Sequence, residues 1–262
     1  MRYKDKVTIV TGGTKGIGAG CVRVFVEQGG ANVVFCSRHD AEGQAFEAEM
    51  NAKGPGRAMF VRADVSKPDD VRRVIDRTVE RFGRIDCLIN NAGWHPPHQP
   101  IDAFSIDDFR NLLELNLVSY FAACKFALPH LRKVKGNIIN MSSLVATMGQ
   151  IGATTYVATK GGITAFTKAL AVDEAAHEVR VNCVSPGNIY TPLWQEAIDQ
   201  APDPAKCRAD GDAAQVLGRM GTVEEAALLC LYLAADATFT TGVDHIISGG
   251  AELAYGRKTR RE

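Results

Sequence analysis

The chain has 262 residues, 46% of them hydrophobic and 23% charged, close to the average for a soluble globular protein and enough apolar material for a substantial core. Thirty basic residues balance thirty acidic ones, so there is no global field to gather nucleic acid or an anionic membrane. Seven scattered cysteines, odd in number and without a CxxC pair, exclude a disulfide framework and a metal site of zinc-ribbon type, and fit reduced, mostly buried thiols.

The start, MRYKDKVTIV, reaches an apolar strand after six residues, without a secretory segment or a cleavage site of small residues. No stretch is expected to span a bilayer, and a cytosolic protein is the default reading. Strands are expected at KVTIVTGG, NVVFCSR, AMFVRADV, CLINNAG, NIINMSS, VRVNCVSPG and HIISGG, seven in all. Between them run segments of helical spacing, among them GIGAGCVRVFVEQG, DDVRRVIDRTVERFG, FRNLLELNLVSYFAACKFALPHLRK and YVATKGGITAFTKALAVDEAA. That alternation predicts a single α/β domain over residues 1–262, a Rossmann-type doubly wound parallel sheet with helices on both faces.

TGGTKGIG follows the first strand and opens a helix. Gly12, Gly16 and Gly18 let the backbone turn tightly and approach a pyrophosphate, with Lys15 and Ile17 between them and the charge set at the helix N-terminus. The second strand ends at Ser37-Arg38, where an acid would bind both ribose hydroxyls and select NAD. Arg38 either meets a 2′-phosphate, selecting NADP, or stacks on adenine and leaves NAD acceptable. At the third strand end Asp64 is placed to accept from the adenine amine, with Val65 beside the ring. At the fourth, Asn91, Ala92 and Gly93 come under the ribose and nicotinamide.

Ser143, Tyr156 and Lys160 carry the candidate chemistry. Tyr156 and Lys160 are four residues apart, about one helical turn, so hydroxyl and ammonium share a face. A free tyrosine, with a pKa of about 10, is a poor base at neutral pH, and a nearby ammonium is expected to lower that value. Ser143 would hold the reacting oxygen, Lys160 would tether the nicotinamide ribose, and Asn116 would fix a water linking Lys160 to solvent. From 189 to 218, Pro192, Pro202 and Pro204 interrupt a mixed polar and apolar run, which reads as a lid over the cleft. The basic end, GRKTRRE, reads as a solvated terminus.

Taken in order, TGGTKGIG, NNAG, Asn116, Ser143, YVATK and SPGNIYTPLW resemble the short-chain dehydrogenase/reductase family along nearly the whole chain. The resemblance implies Asn116, Ser143, Tyr156 and Lys160 as the catalytic group, with no metal and with NAD or NADP as cofactor; it favours NAD, whereas Ser37-Arg38 leans to NADP. It places Pro186, Gly187, Ile189, Thr191 and Leu193 at the nicotinamide end. NNAGWHPP, ALPHLRK, LGRMG and GGAELAYG are similar to members acting on 17β-hydroxysteroids and on L-fucose. That closer similarity implies His95, Gln150, Trp194 and Tyr255 as substrate-pocket residues, a cytosolic homotetramer, and no nucleic-acid or membrane partner. Oxidation of a secondary alcohol is the expected reaction. A carbonyl reductase of the same family, a non-catalytic dinucleotide sensor and a sugar epimerase are the alternatives, and a steroid or a sugar remains open as substrate.

Overall fold

The computed structural model describes residues 1–253, so Tyr255 and the basic end lie outside the described residues. Seven strands, β1 (Val7–Thr11), β2 (Asn32–Ser37), β3 (Arg57–Arg62), β4 (Cys87–Asn90), β5 (Asn137–Met141), β6 (Arg180–Pro186) and β7 (Asp244–Ile247), form one sheet. Its order is β3-β2-β1-β4-β5-β6-β7, and every pairing is parallel. The order reverses between β1 and β4, where neighbouring connections leave the sheet in opposite directions and open a crevice at the strand ends.

Parallel strands covered on both faces need apolar residues on both faces, and these have them. In β1, Ile9 packs on one side of the sheet, with Val71 and Ala123, and Val10 on the other, with Val22 and Leu231. Val34 and Phe35 in β2, and Leu88 and Ile89 in β4, repeat the division. The helices are α1 (Gly16–Val24), α2 (Asp40–Lys53), α3 (Pro68–Phe82), α4 (Ile106–Leu113), α5 (Ser119–Val134), α6 (Val145–Met148), α7 (Thr154–Asp173), α8 (Pro192–Asp199), α9 (Pro204–Ala213) and α10 (Val223–Ala235). In α3, Val71, Val74, Ile75 and Thr78 recur with helical spacing and form the buried stripe. Pro68 starts the helix, and Gly83, at φ +74°, ends it.

Three features differ from the sequence reading. The long helical run of residues 109–133 is one continuous helix but not of one type, because a π turn at Glu114–Val118 joins α4 to α5 and carries the buried Asn116. The combined stretch Ile106–Val134 is, by length and composition, apolar enough to cross a membrane, contrary to the expectation that none is. Half of its most apolar window is buried, and Ala127, Leu128 and Leu131 pack under the sheet. In the 189–218 segment, Pro192 and Pro204 start helices rather than interrupt them. Thr191 Oγ1 accepts from Trp194 N, and Asp203 Oδ1 from Lys206 N, as N-caps. Pairing of Tyr190 N and Gly221 N with the Gly221 and Asn188 carbonyls closes the base of this two-helix excursion.

Candidate active site

The carboxyl ends of the strands surround a cleft of about 870 Å³. Its floor is the turn from β1 to α1, where Gly12 and Gly16 adopt φ of +65° and +55°, a conformation that excludes most side chains. A Cβ on Gly18 would lie 2.1 Å from the Gly12 carbonyl oxygen, so Gly18 serves turn packing and does not line the cleft. Thr11 ties this turn to β4: its Oγ1 accepts from Asn91 N at 2.9 Å and Ala92 N at 3.1 Å. Asn91 Nδ2 in return donates to the Thr11 and Gly12 carbonyls.

The residues fit a dinucleotide. Lys15, at the N-cap of α1, makes no side-chain cap, and Gly16 and Ile17 line the cleft in the helix's first turn. The first amides of a helix have no intrahelical carbonyl partner, so they offer donors and the positive end of the helix to a phosphate. Ser37, Arg38, Asp64 and Val65 line the adenosine end; Pro186, Gly187, Ile189, Thr191 and Leu193 line the other. Asp64 Oδ1 already accepts from Ser66 N and Oγ. Lys15 pairs with Glu42 at 3.2 Å, whereas Arg38 is exposed and has no side-chain partner among the described residues.

At the opposite end, α7 presents Tyr156 and Lys160 to the cleft with Ser143 from the end of β5. Ser142 Oγ donates to the Lys160 carbonyl at 2.8 Å and anchors that turn of α7 to β5. Lys160 is 4% exposed, and its Nζ donates to the Met141 carbonyl at 2.8 Å. Tyr120 Oη donates to the same oxygen at 3.2 Å. Burial lowers the Lys160 ammonium to about 8. Burial raises the Tyr156 phenol to about 12, and a hydrogen bond with Ser143 acts the other way.

The ammonium therefore does not depress the tyrosine of the cofactor-free protein as expected from the sequence. Nζ lies 5.7 Å from the Tyr156 ring centroid and spends a donor on a carbonyl. The side chain of Asn116 is engaged behind the cleft. Its Oδ1 accepts from Trp94 N, and its Nδ2 donates to the Trp94 carbonyl, both at 2.9 Å, so it holds the loop after β4 from behind. Gly93 separates it from the lysine: a Cβ there would lie 3.3 Å from Asn116 Oδ1 and 3.6 Å from Lys160 Nζ.

Over Tyr156 sits His95, with ring centroids 4.1 Å apart. His95 Nδ1 is 2.6 Å from the Pro96 carbonyl oxygen and Nε2 is 3.0 Å from Gln150 Oε1. Both neighbours are oxygen acceptors, so the ring nitrogen facing each donates where it carries hydrogen, and Gln150 Oε1 accepts from Nε2–H. Gln150 thus supports His95 without itself lining the cleft. Trp194 lines it from α8, and a Cβ on Gly211 would lie 3.2 Å from the indole, so α9 backs that ring. Trp94, Met141, Ser142 and Glu196 also line the cleft and were not singled out from sequence. Only Trp94 had a signal, its position directly after NNAG.

A family model described as enoyl-(acyl carrier protein) reductase, within the short-chain dehydrogenases, matches residues 12–252. The chain belongs to the short-chain dehydrogenase/reductase family. As a short-chain dehydrogenase/reductase it is an oxidoreductase that acts on CH–OH groups with NAD or NADP. It is 54% identical to an L-fucose dehydrogenase of Bos taurus over 98% of this chain and 93% of that one. It is 35% identical to a 3beta-hydroxysteroid dehydrogenase of Eggerthella lenta over 97% of this chain and 96% of that one. Among solved structures, L-sorbose reductase from Gluconobacter frateurii, in complex with NADPH and L-sorbose, superposes with a TM-score of 0.92 at 26% identity. That match covers 97% of this chain and all of the other.

Proposed function

We propose that this short-chain dehydrogenase/reductase oxidises a hydroxyl-bearing carbon of an L-fucose-type sugar. The observation that carries this reading is the imidazole of His95, held by Gln150 and tilted over the Tyr156 ring with centroids 4.1 Å apart. A hexose needs convergent polar partners close to the reacting carbon, and Ser143, Tyr156 and His95 line the cleft together there. The identity to L-fucose dehydrogenases supports the same substrate class. A 17β-hydroxysteroid is the second reading, favoured by Leu193 and Trp94, which line the cleft while 53% and 50% exposed.

In the proposed reaction Ser143 Oγ donates a hydrogen bond to the substrate oxygen and sets its distance from Tyr156. With the positive charges of Lys160 and of bound oxidised nicotinamide favouring the phenolate, Tyr156 would release its own proton to solvent and its Oη would then take the hydroxyl proton. Bound oxidised nicotinamide supplies the hydride acceptor and a positive charge. Lys160, anchored on the Met141 carbonyl, presents its remaining N–H donors to the ribose and the phenol. Asn116 holds the Trp94 main chain so that the loop bearing His95 keeps its place. His95 and Trp194 position the rest of the sugar.

Arg38, exposed and unpaired beside Ser37, favours NADP, because it offers a charge-assisted hydrogen bond to a 2′-phosphate. One catalytic domain over residues 1–262, a lid at 189–218, a cytosolic location, a homotetramer, and no nucleic-acid or membrane partner complete the reading; resemblance to the family supports them. The test is cofactor reduction by purified protein with L-fucose and with a 17β-hydroxysteroid, each with NAD and NADP. A higher kcat/KM for L-fucose is expected. Preference for the steroid establishes the second reading, and reduction of neither cofactor with any alcohol in a panel rejects both.

A further inference from the structure

The main-chain oxygen of Met141, the last residue of β5, accepts twice: from Lys160 Nζ at 2.8 Å and from Tyr120 Oη at 3.2 Å. A carbonyl oxygen has two lone pairs, so both are taken. Tyr120 reaches it from α5, four residues beyond Asn116, whose Nδ2 also donates to Thr159 Oγ1 at 3.2 Å. This stretch of helix thus braces two neighbours on α7, Thr159 and Lys160. The Tyr120 ring is fully buried and packs with Ile163, Cys183 and Leu117. Lys160 Nζ lies 5.7 Å from the centroid of that ring and 5.7 Å from the centroid of Tyr156, so the ammonium has one tyrosine in the core and one in the cleft.

The core phenol is a fixed donor. Burial pushes Tyr120 well above the ordinary tyrosine value, and Tyr156 acts in the same direction, so Tyr120 stays protonated throughout the range in which Lys160 titrates. The other titratable groups facing the pair are Cys183 of β6 and Cys124 of α5, thiols that burial pushes up to about 12 and so keeps neutral. Among the described residues no carboxylate pairs with Lys160, and its ammonium rests on the Met141 oxygen. The positive end of the Tyr120 O–H dipole points at that same oxygen. It disfavours the charged lysine and leaves the oxygen no lone pair for a second N–H.

We propose that Tyr120 is a positioning residue for the oxidation: by filling the second lone pair of the Met141 carbonyl, it confines Lys160 to one hydrogen bond there and keeps the other two N–H donors for the nicotinamide ribose and Tyr156. The inference rests on the role given to Lys160 in the proposed reaction. Without the Tyr120 hydroxyl, the ammonium shifts toward the vacated lone pair, draws back from the cleft and holds its proton more tightly. Tyr120 does not line the cleft, so it acts on the reaction through Lys160 alone.

Tyr120→Phe removes one oxygen and keeps the ring in the core, and Tyr120→Met fills the space without a ring or a hydroxyl. Two quantities are read in each: the steady-state kinetics with L-fucose, or with the steroid if that is the better substrate, and the ¹⁵N midpoint of Lys160 Nζ in the cofactor-free protein. For Tyr120→Phe, kcat is expected to fall about three- to tenfold with KM for the alcohol nearly unchanged. The Lys160 midpoint is expected to rise above the wild-type value near 8 in both variants. A loss of packing alone moves stability and leaves that midpoint where it was. A midpoint that stays or falls, or a Tyr120→Phe protein with the wild-type kcat, overturns the proposal. Turnover by Lys160→Met at the wild-type rate is a separate result, which rejects the role of Lys160 itself. The midpoint in Tyr120→Phe then decides alone whether Tyr120 governs the ammonium.

Discussion

The ring of His95 lies 4.1 Å from the ring of Tyr156, and Gln150 pairs with His95 at 3.0 Å from the far side. This arrangement sets a polar contact beside the candidate proton acceptor. Replacing His95 by Leu removes that contact while leaving the tyrosine in place. KM for L-fucose is expected to rise about tenfold with kcat falling less, and Gln150→Leu to show a smaller change in the same direction. Steady-state kinetics of the two variants check this, and an unchanged KM in both shows that the stack does not touch substrate.

Arg38 and Lys15 are both basic and both line the adenosine half of the cleft, yet among the described residues only Lys15 of the two has an acidic partner, Glu42 at 3.2 Å. Arg38→Asp replaces the unpaired cation with an acid at the end of β2. The ratio of kcat/KM for NADP over NAD is expected to fall by roughly 10- to 100-fold. A wild-type enzyme that already prefers NAD tenfold removes the phosphate role from Arg38.

Burial sets the order in which the two α7 groups titrate in the cofactor-free protein. Lys160, lowered to about 8, loses its proton before Tyr156, raised to about 12. At neutral pH the protein therefore holds an ammonium and a neutral phenol. A lysine with a depressed folded-state value costs stability while charged: the cost is fully present below pH 8 and is relieved as pH rises from there to the unfolded value. NMR of ¹⁵N-labelled lysine side chains is expected to show one Nζ with a midpoint near 8, absent in Lys160→Met. A tyrosinate absorbance titration is expected to show no low midpoint for Tyr156.

Arg132 bonds Glu174 through both Nε and Nη2, at 2.8 and 2.6 Å, and so ties α5 to the turn after α7. The arginine bond holds the Glu174 carboxyl below its ordinary value against burial. A depressed carboxyl contributes stability above its unfolded pKa and loses it as pH falls through the folded one. Arg132→Met leaves a buried carboxylate unpaired, and because the arginine is partly exposed the expected loss is about 2 kcal/mol at neutral pH. Denaturant unfolding at pH 7 and pH 4 checks both parts: the gap between wild type and variant narrows at the lower pH.

The strands were legible because each is a short apolar run ending at a turn residue, and a parallel sheet needs that pattern at every strand. Gly12, Gly16, Arg38, Ser143, Tyr156 and Lys160 were legible for a related reason: strand-end and one-turn spacings bring them to one crevice whatever the details of packing. Asn116 was found in sequence but its side-chain partner Trp94 was not, since Asn116 sits in a π turn that helical periodicity does not reveal. The acceptor for Lys160 is a main-chain oxygen, Met141, which any residue type would supply. The direction of the Tyr156 shift depends on burial against distance, and a four-residue spacing gives neither.

The central claim is that Tyr156 carries the oxidation of an L-fucose-type sugar, and Tyr156→Phe tests it most directly, since it removes one oxygen and leaves the ring under His95. With L-fucose and saturating cofactor, the wild type is expected to reduce the cofactor. The variant is expected to lose roughly 10²- to 10⁴-fold in kcat while binding cofactor with nearly unchanged affinity. A variant that oxidises L-fucose at the wild-type rate would contradict the account.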